Sequence, residues 1–373
     1  VFAPKLGDLL TLIKEKVSAL GYTDHPYDPL LDEYEPEMKT DRVRTVFYGA
    51  VEDLRTLVKE IQEKTPVDDS IIRGSFPIEQ QKAFGVRVLK DMGFNTQRGR
   101  LDVSAHPFTT SLGSNDVRLT TRFRDDYFNT GFFGIVHEGG HGLYELGYDD
   151  TLHGTILADA TSLAIHESQS RMWENTIARG KAFWKYYYPV LKDYFPDRFP
   201  PDGMHRFYRA INTVRPSLIR VEADEITYNL HIILRFNLEC DLLTDNINVR
   251  DLPEAWNEGS KDLIGVVPSN DAEGVLQDIH WSMGAFGYFP TYALGNFYSA
   301  QFFAAMKQDM KSVEQDIEQG KLESPLSWLR DNIHRHGRTM TSEELCSQVT
   351  GETLNPEYFV SYLRSKYTEI YEL

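Results

Sequence analysis

Cysteine is scarce in this chain. Its 373 residues hold two, Cys240 and Cys346, with no CxxC pair. That excludes a disulfide scaffold and makes a reducing compartment, the cytoplasm, the expected location. Long apolar runs are missing too, since none approaches the roughly 18 residues that a membrane-spanning helix requires. Basic charge is in deficit, with 39 Lys and Arg against 56 Asp and Glu, a formal net charge of −17. Such a surface repels phosphate backbones and anionic lipid, so neither nucleic acid nor membrane is an expected partner. The opening VFAPKLGDLL shows neither a secretory-leader pattern nor an initiator Met, which predicts a processed chain or a piece of a longer one. No internal repeat, low-complexity tract or Ser/Gly-rich linker breaks the chain. A single domain over residues 1–373 is therefore expected.

What is present is helical periodicity. Apolar residues make up 41% of the chain, enough to build a large core and to exclude disorder. Leu6, Leu9, Leu10, Ile13, Val17 and Leu20 form one stripe that stops at Gly21. A second stripe runs through Val43, Phe47, Val51, Leu54, Val58 and Ile61, with Thr40 or Asp41 as its expected N-cap and Pro66 beyond its end. Further helices are expected at 78–92, 125–147, 159–179, 219–245, 291–318 and 355–368. Two β-like runs, Leu101–Ala105 and Val117–Phe123, interrupt this pattern, and the second alternates apolar with polar residues. The expected fold is mainly α, with a small sheet feeding into the 125–147 helix.

That helix carries GIVHEGGHGLYELG, residues 134–147. His137 and His141 are four residues apart, so one helical face turns both imidazoles toward the same point, as two ligands of a zinc ion require. Glu138 lies to the side, where a carboxylate can act on the metal's water without ligating the metal. The bland alternative is a surface helix with two incidental histidines. Phe132, Phe133, Ile135, Val136, Leu143 and Leu146 argue against it, because they predict burial, and buried histidines need partners. Three glycines, Gly139, Gly140 and Gly142, each cost about 1 kcal/mol against Ala in a helix interior. Their expected use is the close approach of another backbone or of substrate.

A third ligand must come from elsewhere. A metzincin would have Gly at 144 and His at 147, where this chain has Tyr144 and Gly147. Glu167, on the next expected helix, suits hydrolases whose third ligand is a downstream glutamate. Asp159, His166 and Glu174 are its rivals, with an ordinary polar helix face as the bland reading of all four.

The chain resembles the carboxypeptidase Taq family of zinc metallocarboxypeptidases. HPF at His106–Phe108, DVRLT at Asp116–Thr120, HEGGH at His137–His141, HESQ at His166–Gln169, IRVEAD at Ile219–Asp224 and GVLQDIHW at Gly274–Trp281 match six of the family's signatures in order. The resemblance implies a helical molecule with a deep active-site groove beside a small sheet, a homodimer, and a Zn²⁺ ion that Co²⁺ can replace. Carried over by motif, His137, His141 and Glu167 are the metal ligands and Glu138 the general base. Full-length relatives have a further helical segment before the part that begins FAPKL, and this chain is expected to lack it.

The implied reaction releases single residues from peptides with a free C-terminus. A positioned guanidinium reads a carboxylate with two parallel hydrogen bonds. Arg220 resembles the family's anchor for that group. Arg118 is a second candidate, with burial against an acid such as Asp116, Asp224 or Glu225 as its structural alternative, and His106 is a groove-lining candidate. The oxyanion needs donors, for which His280, Tyr288 and Tyr292 are the candidates, although tyrosines in an aromatic-rich helical protein usually pack. Asp278 is a candidate for orienting His280, and His231 reads as structural. Two competing functions are a zinc endo- or aminopeptidase and a metal-stabilised domain without turnover.

Overall fold

The computed structural model describes residues 2–373. α-Helices dominate, and among the described residues the strands form one three-stranded sheet. The chain divides into two compact units. One takes the residues through Thr65, Val214–Leu294 and Asn355–Leu373; the other takes Pro66–Thr213 and Gly295–Leu354.

In the first unit, the helix Phe2–Leu20 buries Leu6, Leu10, Ile13 and Val17 of the expected stripe, leaves Leu9 partly and Leu20 largely exposed, and stops at Gly21 with φ +77°. Thr40–Gln62 buries Val43, Phe47, Leu54, Val58 and Ile61 in the same way. Its N-cap is Lys39, not Thr40 or Asp41. Thr40 instead donates its backbone N–H and its hydroxyl to Asp28 Oδ1, so a tertiary partner displaces the local cap. Thr227–Leu243 is the central helix, buried on nearly every side, which explains why it shows almost no amphipathic pattern. Phe236 on it meets Phe47 and Tyr27 edge to face at 5.4 and 5.5 Å. Each such side chain stabilises the fold by roughly 1.5–3 kcal/mol through burial.

In the second unit, β1 (Gly99–Val103), β2 (Thr109–Ser111) and β3 (Val117–Thr121) form the sheet in the order β1-β3-β2. The central β3 runs parallel to β1 and antiparallel to β2. The helix Phe128–Glu145 packs on this sheet and between Ile78–Asp91 and Leu163–Arg171. Its first turns are anchored by an aromatic cluster in which Phe128, Phe132, Phe84 and Trp184 lie 5.1–6.4 Å apart.

The expected 159–179 helix is an α-helix, Leu163–Arg171, followed by a π-helical stretch, Met172–Ala178. The expected 291–318 helix is two, Pro290–Asp309 and Val313–Glu318.

Candidate metal centre

The glycines decide how closely the helices meet. A Cβ on Gly140 would stand 2.7 Å from Gln169 O and from Ser170 Cα, the backbone of the neighbouring helix. On Gly139 it would meet Leu89 at 2.7 Å, and on Gly142 it would meet Leu119 and Phe94 at 2.8 and 2.9 Å. The helix therefore lies bare against three neighbours. Its partner, Leu163–Arg171, starts at Ser162, whose side chain accepts from Ile165 N, and this start brings Glu167 to face His137 and His141.

Glu167 Oε2 lies 3.3 Å from His141 Nε2 and 3.6 Å from His137 Nε2. One donor atom from each residue falls within 4.8 Å of the others. Zinc bonds of about 2.0–2.1 Å at tetrahedral angles place two ligand atoms about 3.3–3.4 Å apart, so the spacing fits such an ion, and two imidazoles with a carboxylate are a zinc donor set.

What lies behind each candidate ligand is equally specific. His137 Nδ1 is 2.9 Å from Glu174 Oε2, and Glu174 is braced by Arg171 and Arg179 at 3.3 Å each. Burial alone would raise the Glu174 carboxyl, but His137 and the arginines outweigh it and hold it near 2. Glu167 Oε1 accepts from Arg171 Nε at 2.7 Å, and its Oε2 also accepts from Ser170 Oγ at 2.8 Å. Arg171 and His137 outweigh burial here too, so Glu167 stays ionised well below the usual carboxylate range. Burial drives His141 down to about 3, and the neighbouring His166 adds to that. In His137, Glu167 and Glu174 outweigh burial and move the group the other way.

Glu138 is buried, and burial raises its carboxyl above the ordinary value. Its Oε2 accepts from Thr109 Oγ1 at 2.6 Å, and the same hydroxyl also reaches the Glu138 carbonyl at 3.0 Å.

The rivals of Glu167 take other places. Glu174 and His166 stand behind the two imidazoles, on His137 and His141 respectively. Asp159 is half-exposed and pairs with Arg338 at 2.8 Å. Arg118 grips Asp116 through Nε and Nη2 at 2.9 and 2.7 Å, but both side chains are exposed, so the acid is one of those expected and the burial expected with it is not found. His106 is exposed between β1 and β2. Sequence reasoning missed Thr109, which directly follows the HPF motif, as well as Arg171, Arg179 and Glu145. Of these only Glu145 left a signal, because it continues the four-residue spacing of His137 and His141.

In the first unit, Arg220 is buried. Its Nε and Nη2 donate to Asp278 Oδ1 at 3.1 and 2.7 Å, and Nη1 donates to Tyr228 OH at 3.0 Å. Burial would weaken its charge, but Tyr228 and Asp278 outweigh that and keep it protonated. Arg235 holds the other oxygen of Asp278 at 2.7 Å. His280 Nε2 is 3.2 Å from Tyr292 OH, and its ring lies 5.2 Å from that of Tyr288. Its Nδ1 is 3.9 Å from Asp278 Oδ1, so Asp278 serves the two arginines before it serves this imidazole. His231 is buried, with Nε2 3.0 Å from Ser217 O, as a structural histidine would be.

A sequence profile described as carboxypeptidase Taq (M32) metallopeptidase matches residues 1–367. The chain is 41% identical to carboxypeptidase 1 of Bacillus subtilis over 374 residues, which cover 100% of this chain and 75% of the relative. It is 42% identical to thermostable carboxypeptidase 1 of Thermus thermophilus, over 99% of this chain and 74% of that one. The structure of an M32 carboxypeptidase from Deinococcus radiodurans superposes with a TM-score of 0.97 at 38% identity, covering 100% of this chain and 75% of that one.

Proposed function

The chain belongs to the carboxypeptidase Taq (M32) family and is a metallocarboxypeptidase, and from that premise we propose that its metal is zinc, held by His137, His141 and Glu167, with Glu138 as the general base. The observation that carries this reading is the convergence of both Nε2 atoms on Glu167 Oε2 at 3.3 and 3.6 Å. Zn²⁺, when bound, supplies a Lewis acid for the scissile carbonyl and brings a water's pKa toward neutrality; Co²⁺ is proposed to substitute for it.

The protein's own groups do the rest. Thr109 ties down Glu138 Oε2, which leaves Oε1 to take the proton of the attacking water and pass it to the departing amine. A carboxyl raised by burial works closer to neutral pH, as a base that must return its proton should. Arg220 is proposed to read the substrate's terminal carboxylate. A guanidinium has five N–H groups, and the bonds to Asp278 and Tyr228 use three, leaving one on each terminal nitrogen. His280, Tyr288 and Tyr292 are proposed as oxyanion donors on the strength of their clustering, and His106 and Arg118 as outlying substrate contacts. Residues 1–373 are proposed to act as one catalytic domain, working as a homodimer on family likeness. The cytoplasm is the proposed compartment, which suits two buried free thiols, Cys240 and Cys346.

A metal assay coupled to timed digestion of one unblocked peptide tests this reading. One zinc per chain and stepwise release of single residues from the C-terminal end, abolished by chelator, is the expected result. Internal or N-terminal cleavage would refute the assignment.

A further inference from the structure

Behind His141 runs a hydrogen-bonded chain in which an ionised Glu145 and a neutral His166 allow one placement of protons. His141 Nδ1 meets Nδ1 of His166, and His166 Nε2 lies 2.8 Å from Glu145 Oε1, which also accepts from Tyr148 OH at 3.2 Å. Glu145 sits one turn beyond His141 on the same helix, and the adjacent helix inserts His166 between the two. All three side chains are largely shielded from solvent, at 14–17% exposure, so water does not readily replace these contacts.

The protons can be followed outward from the carboxylate. An ionised Glu145 only accepts, so His166 Nε2 must carry a hydrogen. A neutral His166 then has a bare Nδ1, which can only accept. His141 Nδ1 must therefore donate, and in a neutral imidazole that leaves Nε2 as a lone pair. That Nε2 is the atom 3.3 Å from Glu167 Oε2. His137 reaches the same tautomer by direct contact with Glu174, whereas His141 reaches it through an intervening imidazole.

We propose that Glu145 and His166 are positioning residues that fix His141 as its Nδ1–H tautomer and hold its Nε2 lone pair toward the metal. This rests on the reading of His141 as a ligand. It adds that the first residue of HESQ orients one ligand while the second supplies another.

The test is made on the zinc-loaded full chain with ¹⁵N-labelled histidine. His166 is expected as a neutral ring protonated on Nε2 only; a proton on its Nδ1 would overturn the proposal, and this measurement needs no variant. Zinc affinity, read by chelator competition, supplies the second arm. Glu145→Leu is expected to weaken it about 10- to 100-fold. Glu145→Gln, which keeps an acceptor oxygen, is expected to recover most of the loss. A Leu variant within twofold of wild type, or equal losses in Leu and Gln, would also overturn it. Zinc bound without His141 would sink the ligand reading itself, and that outcome is visible in the same spectra because His141 would lack the shift of a metallated nitrogen.

Discussion

Gly140 faces the carbonyl oxygen of Gln169 so closely that a Cβ built on the glycine would stand 2.7 Å away. Alanine would favour the helix by about 1 kcal/mol, but the contact is with backbone, which cannot turn aside as a side chain can. Forcing the two helices apart costs about 1–3 kcal/mol and moves Glu167 relative to His141. Gly140→Ala is therefore expected to lower both the melting temperature and zinc affinity. A variant more stable than wild type, with unchanged affinity by chelator competition, would refute the close-approach account.

Glu138 tests the chemistry apart from the metal. Glu138→Gln should retain one zinc per chain by elemental analysis, because the carboxylate lies outside the converging donor set. Turnover should fall about 10²- to 10⁴-fold, the usual weight of a general base. Thr109→Val removes the donor that fixes Oε2 and should cost less. Joint loss of metal and activity in the Gln variant would contradict the assigned role.

Arg220→Ala should raise KM for free-acid peptides about 10- to 100-fold, the weight of a charge-assisted hydrogen bond pair, and spare amidated ones. Arg235 remains to pair Asp278 in this variant, which limits damage to the fold. Steady-state kinetics on matched acid and amide substrates decide the point. Equal losses on both would remove Arg220 from carboxylate recognition.

Glu239 carries a pH signature. It is buried, accepts from Tyr27 OH, Trp281 Nε1 and Gly287 N at 2.7, 2.9 and 3.1 Å, and is pushed up to about 7, chiefly by burial. An acid raised on folding binds more proton in the native than in the unfolded state. Its contribution is present in full below the unfolded value near 4.5 and is lost as pH rises through 7. Within that window it should tilt stability downward by up to roughly 1.4 kcal/mol per pH unit. Urea unfolding at pH 5, 6, 7 and 8 should show a shallower fall for Glu239→Gln than for wild type. Parallel curves would mean that the carboxyl does not titrate there.

Much of this was legible in the sequence because periodicity and spacing are local. Leu6 to Val17, Val43 to Ile61 and the pair His137–His141 are read from offsets within one helix. Val117 to Thr121 alternates as a strand should. Where tertiary partners intervene, the sequence was silent. Thr40 looks like a cap until Asp28 claims both of its donors. The three residues of β2 are too short and polar to announce a strand, yet they carry Thr109 to Glu138. The change from α to π winding at Met172 alters hydrogen-bond partners and leaves no mark on the apolar pattern. His166 and Glu174 were chemically eligible as ligands, and only packing assigns them to the backs of the imidazoles.

The bare seam at Gly139, Gly140 and Gly142 has a thermodynamic corollary. A rod touched by Leu89, by the Gln169–Ser170 main chain and by Leu119 is held on three sides. Its amide hydrogens should be among the slowest in the molecule to exchange with deuterated solvent. Loss of a bound metal by helix displacement would require this packing to open, so retention of the cofactor and resistance to heat should rise and fall together.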